Sequence, residues 1–337
     1  MPAVPFQPAL LLCSALLAVP AAAQRGRESA PPELEHLVFQ ERSFASEAVG
    51  GESRYGVFLP KDYDAEENRE RRYPLVVWLH GMNEDHRRFL TRGGGEVLDR
   101  MVGTGAMPAC VFVCANGDRS SFWTNGQAEN HRYEDLVTQD LLAHLEQTYR
   151  IAEEREQRAI AGVSMGGYGA LKIALKNPGR FGAVVAHSAA ILPEDPEKLT
   201  EEFPWLEGRG GRLLAAIFGD PLDVAKWRAE NVLVLAREVE KDDLQGLRIY
   251  FDCGTEDRYG FDRSNQQFHE LLEAHDVPHT FELVEDGGHG WRSGYNQAAV
   301  PNSLAFLAAS FGAASGRKAL GGLLQGGGDE GKSGRDR

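Results

Sequence analysis

The residues best placed to do chemistry in this sequence are a serine between glycines and a histidine between glycines. Gly162-Val163-Ser164-Met165-Gly166 matches G-x-S-x-G, a pattern in which the serine sits on a sharp strand-to-helix turn with its Oγ exposed. The five residues alone say little, because glycine is abundant here, 38 in 337 residues. Their setting says more: the strand-like run Ala159–Val163 precedes the serine, and helix-like sequence follows from Gly166. A hydroxyl is a weak nucleophile until a base takes its proton, so a histidine is needed. His289 lies in Asp286-Gly287-Gly288-His289-Gly290-Trp291, a glycine-flanked loop segment where a core role has little to recommend it. His187, His269, His275 and His279 fall at a strand end or along and after a helix, where surface or packing roles suffice.

The chain order serine, acid, histidine puts the acid between these two. Asp257 follows the run Leu247–Asp252 by the short turn Cys253-Gly254-Thr255-Glu256, and loops just past a strand's carboxyl end are where open α/β sheets place function. Asp252 reads as still in the strand, Asp262 reads as a helix N-cap, and Glu256 is the nearer rival. An acyl-transfer intermediate also needs N–H donors aimed at its oxyanion. Met165 follows the nucleophile and should supply one; Met82 in His80-Gly81-Met82-Asn83 should supply the second, with Gly81 as the alternative. His80 reads as a loop brace rather than a second base. No H-E-x-x-H or other metal-ligand spacing occurs, so the expectation is no metal and no cofactor.

These residues need a scaffold. Strand-like runs fall at Tyr55–Leu59, Leu75–Leu79, Cys110–Cys114, Ala159–Val163, Ala183–His187, Leu247–Asp252 and Thr280–Val284. Several are nearly continuous apolar runs, as suits strands covered on both faces of a parallel sheet. Helix-like segments alternate with them at Glu134–Tyr149, Tyr168–Asn177, Asp262–Ala274 and Ala298–Ser310. The alternation predicts an α/β fold with a mostly parallel, doubly wound sheet flanked by helices. From Ala189 to Asn231 the rhythm breaks into prolines, glycines and the aromatics Phe203, Trp205, Phe218 and Trp227. Such an insertion reads either as a lid or pocket wall or as extra helices on the core.

Charge and the termini bound the rest. The formal net charge of −14 repels nucleic-acid phosphates and anionic lipid heads, which argues against either as a main partner. Ala9–Val19 is an apolar run with Ala21-Ala22-Ala23 behind it, the pattern of a signal peptide over residues 1–23 and hence of a secreted or periplasmic protein. A linker at 24–32, a catalytic domain at 33–312 and a disordered tail at 313–337, rich in glycine and charge, complete the expected organisation. Cys110, Cys114 and Cys253 would remain after cleavage. Cys110 and Cys114 sit four apart in a strand, roughly 13 Å by strand rise, too far to bond; buried thiols are expected.

Leu79-His80-Gly81, the run Gly162 to Leu171 and Gly288-His289-Gly290-Trp291 resemble the esterase D-like (putative esterase) branch of α/β hydrolases, over roughly Ser53 to Phe311. That branch includes feruloyl and acetyl-xylan esterases, S-formylglutathione hydrolases and mycolyltransferases. The resemblance implies a carboxylic-ester hydrolase without a cofactor, and it supports Ser164, Asp257 and His289 as its triad. The loop after His80-Gly81 is Met82-Asn83-Glu84-Asp85, where S-formylglutathione hydrolases carry a cysteine, so exported esterases acting on acetyl or feruloyl groups of polysaccharide fit better. Acyltransfer, thioester hydrolysis and a non-catalytic binding module are the alternatives. Trp123 and Asn125 follow a strand end and should rim the pocket, and Trp205 and Trp291 are further candidates for stacking on substrate, although core packing is the commoner fate of tryptophan.

Overall fold

The computed structural model describes residues 32–206, 209–290 and 299–312, with side chains omitted at 209–212. Its centre is an eight-stranded sheet in the order β1-β2-β4-β3-β5-β6-β7-β8. The strands are β1 (Leu37–Ser46), β2 (Gly51–Pro60), β3 (Leu75–Leu79), β4 (Val111–Ala115), β5 (Arg158–Val163), β6 (Ala183–His187), β7 (Arg248–Gly254) and β8 (His279–Val284). From β4 to β8 every pairing is parallel, whereas β1 and β2 form an antiparallel hairpin whose second strand pairs antiparallel with β4.

The apolar runs behave as doubly covered strands. Every residue of β3, β4 and β6 is buried. Alternate side chains go to opposite faces, as strand pleating requires: Val77 and Leu79 join one apolar cluster, Val76 and Trp78 the other. The first cluster is roofed by the consecutive helical segments Tyr133–Asp135, Leu136–Leu141 and Leu142–Thr148, and by the helices Met165–Lys176, Val232–Glu238 and Phe261–Ala274. The second is covered by the helix Gly94–Gly103 and a helix over 299–312. The expected doubly wound α/β architecture is therefore the observed one.

Several elements were not legible, the helices Arg88–Thr91 and Val232–Glu238 among them. β1 runs Leu37–Ser46 with charged and polar residues interleaved, and seven of its ten positions are not buried; a half-exposed edge strand leaves no apolar run to read. The helix Gly94–Gly103 begins and ends on glycine, which masks a helical pattern. The insertion after β6 is helical, with Leu199–Glu202, Arg209–Phe218 and Val224–Glu230. It serves both expected purposes. Phe203, Phe218 and Trp227 are buried in the main core, while Trp205 is half-buried and lines a pocket. Cys110, Cys114 and Cys253 are buried thiols, unbonded among the described residues. No helix among the described residues is long and apolar enough to cross a membrane. The N-terminal apolar run and the C-terminal tail lie outside the described residues.

Candidate active site

The chain places Ser164 between β5 and the Met165–Lys176 helix at φ 56°, ψ −119°, a conformation that L-residues adopt only under constraint. Close packing supplies the constraint. A Cβ on Gly162 would lie 2.3 Å from the Gly166 carbonyl oxygen, and one on Gly166 would lie 2.0 Å from the Leu79 carbonyl oxygen. Only glycine at both positions lets strand and helix meet this tightly. Backbone bonds lock the turn: Ser164 N–H donates to His187 O at 2.8 Å, and Ser164 O accepts from Tyr168 and Ala190 N–H, both at 3.0 Å.

His289 Nε2 lies 2.9 Å from Ser164 Oγ, and its Nδ1 lies 2.7 Å from Asp257 Oδ2. An ionised carboxylate can only accept, so Nδ1 carries the hydrogen and the Nε2 lone pair faces the serine hydroxyl. Asp257 is itself held: its Oδ1 accepts from Tyr259 N–H at 2.9 Å, and its Oδ2 lies 3.6 Å from the Cys253 thiol. Burial, and then the Asp257 charge, push the Cys253 thiol up, so it remains an S–H and donates. The base loop is pinned to the acid loop and to β6. Glu256 N–H donates to Gly287 O at 2.8 Å, and Gly290 N–H donates to Ser188 Oγ at 3.1 Å.

The rival acids are placed elsewhere. Glu256 is exposed, Asp262 lies in the first turn of the Phe261–Ala274 helix, which is capped by Gly260, and Asp252 is buried against His187 at 2.8 Å. His80 braces its loop as expected, with Nδ1–H donating to Gly81 O at 2.8 Å and Nε2 accepting from Gly117 N–H at 3.0 Å. Its burial lowers the imidazole pKa from 6.5 to about 4, which keeps it neutral. Glu84 already engages one of the two loop N–H groups expected as oxyanion donors. Its Oε2 takes the Gly81 N–H at 3.1 Å, whereas Met82 and Met165 N–H have no acceptor among the described residues and both residues line the pocket.

Two expected substrate contacts are corrected. Trp123 is fully buried, with its indole against Gly117 and Gly169 and its Nε1–H donated to His80 O at 3.1 Å; it braces the site from within the core. Asn125 Oδ1 accepts from Glu134 and Asp135 N–H at 3.1 and 3.2 Å, capping the helical segment at Tyr133. Trp205 does line the pocket, and Trp291 lies outside the described residues. The pocket, a cavity of about 280 Å³, also brings in residues the sequence did not single out: Arg88, Arg92, Phe122, Arg258, Tyr259 and Phe261. The Tyr259 ring meets the His289 ring edge-on at 4.6 Å. No group of three or more His, Cys, Asp or Glu side chains among the described residues is arranged to hold a metal ion.

Comparison with known proteins places this site in context. The family model described as "Putative esterase" matches residues 46–306. The chain is 29% identical to Esterase Rv1288 of Mycobacterium tuberculosis, over 81% of this chain and 60% of that protein; the chain thus spans about three fifths of that relative's length. It is 26% identical to an acetyl esterase of Caldicellulosiruptor saccharolyticus, over 68% of this chain and 80% of that protein. Among solved structures, a ferulic acid esterase superposes with a TM-score of 0.67 at 26% identity, covering 82% of this chain and 99% of the other. By its matched family model, its sheet and its structural neighbours, this chain belongs to the putative esterase family and has the α/β-hydrolase fold.

Proposed function

We propose that this chain hydrolyses carboxylic esters through a covalent acyl-enzyme on Ser164. The observation that carries the reading is the unbroken relay from Ser164 Oγ to His289 to Asp257, at 2.9 and 2.7 Å, opening into a pocket. His289 Nε2 takes the hydroxyl proton as Oγ bonds to the ester carbonyl carbon, and the carbonyl oxygen becomes an oxyanion. Met82 and Met165 N–H donate to that oxygen. Collapse breaks the C–O bond to the alcohol, which leaves with the proton from His289. Water then attacks the acyl carbon, His289 takes its proton, and the acid departs as Ser164 regains its hydrogen. Asp257 fixes the imidazole tautomer and stabilises the imidazolium without itself being protonated.

Short acyl groups up to the size of an aryl acid suit the cavity, with Phe122, Trp205, Tyr259 and Phe261 on its walls. The relatives, an acetyl esterase and a ferulic acid esterase, point the same way. The apolar run Ala9–Val19 and the alanines after it support export, so an ester on an extracellular polysaccharide belongs to the reading. The test is a panel of aryl esters from acetate to octanoate plus methyl ferulate, with wild type and Ser164→Ala. Turnover by wild type alone, strongest on acetate or ferulate, is expected. Equal turnover by both, or none by either, would overturn the proposal.

A further inference from the structure

The pocket wall carries more positive than negative charge on a chain that is strongly acidic overall. Arg88, Arg92 and Arg258 line it together with a single carboxylate, Glu84, although the whole chain has 50 acidic and 36 basic side chains. Glu84 is mostly buried and shares itself: its Oε1 lies 3.4 Å from Arg92 Nη2 and 3.8 Å from Arg88 Nε, and its Oε2 holds Gly81 N–H. Arg258 differs from both. Its guanidinium lies over the Tyr259 ring at 4.6 Å and donates to the Tyr259 hydroxyl, and it pairs with no carboxylate among the described residues.

The position of Arg258 says which part of a substrate it meets. The leaving alcohol must take its proton from His289 Nε2, so it departs on the imidazole side of the scissile bond. Tyr259 packs edge-on against that imidazole, the Arg258 guanidinium lies over the Tyr259 ring, and both residues line the pocket with His289. An exposed guanidinium stacked on a pocket aromatic keeps N–H donors beyond the one given to the Tyr259 hydroxyl, and these can take an anion. We propose that the preferred esters carry a carboxylate on the alcohol part, seated against Arg258, with Arg88 and Arg92 adding positive potential. This rests on the ester-hydrolase reading above and narrows its substrate class. The acidic remainder of the chain disfavours anions at long range, so selectivity for one has to come from these local groups.

The experiment compares para-acetoxybenzoate with its neutral methyl ester, methyl para-acetoxybenzoate, and reads the ratio of their kcat/KM values. Arg258→Gln should lower the charged-to-neutral ratio about fivefold, as for loss of one partly exposed ion pair, and Arg258→Lys, which keeps the charge without the planar fork, should lower it less. A ratio that Arg258→Gln leaves unchanged, or that Arg258→Lys lowers equally, would overturn the proposal. A second readout needs no turnover. Calorimetric binding of para-hydroxybenzoate and of its methyl ester to Ser164→Ala, with and without Arg258→Gln, should show the Kd ratio of the two moving about fivefold; an unmoved ratio overturns the anion site. If wild type hydrolyses neither ester, the ester-hydrolase reading fails, while the binding ratio still decides the role of Arg258.

Discussion

Two histidine–aspartate pairs among the described residues look alike at close range and differ in what surrounds them. His289 and Asp257 stand 2.7 Å apart, and His187 and Asp252 stand 2.8 Å apart. The first pair sits on loops beyond β7 and β8, with a serine hydroxyl 2.9 Å from the free face of the imidazole and a pocket in front. The second ends β6 and lies within β7, buried, with Trp78 and Tyr250 against the imidazole. Parallel pairing in register, His187 beside Asp252, creates the buried contact. Burial raises the Asp252 pKa, and the charge of His187 and its hydrogen bond only partly oppose it. The lesson is that a pair's geometry does not make it a proton relay. Access and a neighbouring hydroxyl are what the proposed relay adds; the second pair joins the end of β6 to β7 inside the core.

That contrast can be broken by parallel substitutions. Asp257→Asn should lower kcat by about 10⁴, because the amide orients the imidazole in the wrong tautomer, while thermal stability stays near wild type; near-normal turnover would relocate the acid. Asp252→Asn should do the reverse. Breaking a buried pair costs several kcal/mol, about 3 kcal/mol at such a site, whereas kcat of the folded protein should change by less than about tenfold. Chemical denaturation beside initial rates checks both, and a catalytic collapse in Asp252→Asn with unchanged stability would erase the distinction.

How much of this was visible in the sequence follows from the same physics. Ser164 and His289 were legible as candidates because the expected chemistry constrains both their types and their flanking glycines, and Asp257 because it stands just past a strand's carboxyl end between them in chain order. β3, β5 and β6 were legible because burial on both faces demands unbroken apolar runs. The His187–Asp252 clasp was not, since strand register is set by tertiary pairing and His187 reads like any strand-end histidine. Trp123 was misplaced for a related reason: an indole suits a pocket wall and a core equally, and only the space above Gly117 and Gly169 decides. The arginines of the pocket wall were invisible because, along the chain, an arginine in a loop or a one-turn helix looks like solvated surface.

A third histidine sharpens the comparison through pH. His80 is buried and neutral, with its pKa lowered to about 4 by desolvation, while the unfolded chain takes up that proton near 6.5. Between those values the unfolded state binds more protons, so stability is full above about pH 6.5 and falls as pH drops toward 4. The loss attributable to His80 should reach roughly 3 kcal/mol at most. Denaturant midpoints from pH 7 to 4, for wild type and His80→Gln, should show a shallower slope in the variant; parallel slopes would place the titration elsewhere. The smallest effect is expected at Ser188, whose Oγ ties Gly290 N–H, and with it the His289 loop, to the end of β6. Ser188→Ala should cost about 1–2 kcal/mol through an unsatisfied buried donor and lower kcat severalfold more than it raises KM. A variant altered only in KM would mean that the tie does not orient the base.

The central claim, that the accessible pair drives acyl transfer through Ser164, is tested most directly by trapping the intermediate. Wild type is acid-quenched during turnover of an aryl acetate and analysed by intact mass and peptide mapping. One acetyl group per chain is expected on the peptide holding Ser164, absent from Ser164→Ala and retained longer in Asp257→Asn. An acetyl group on another residue, or undiminished hydrolysis by Ser164→Ala, would contradict it.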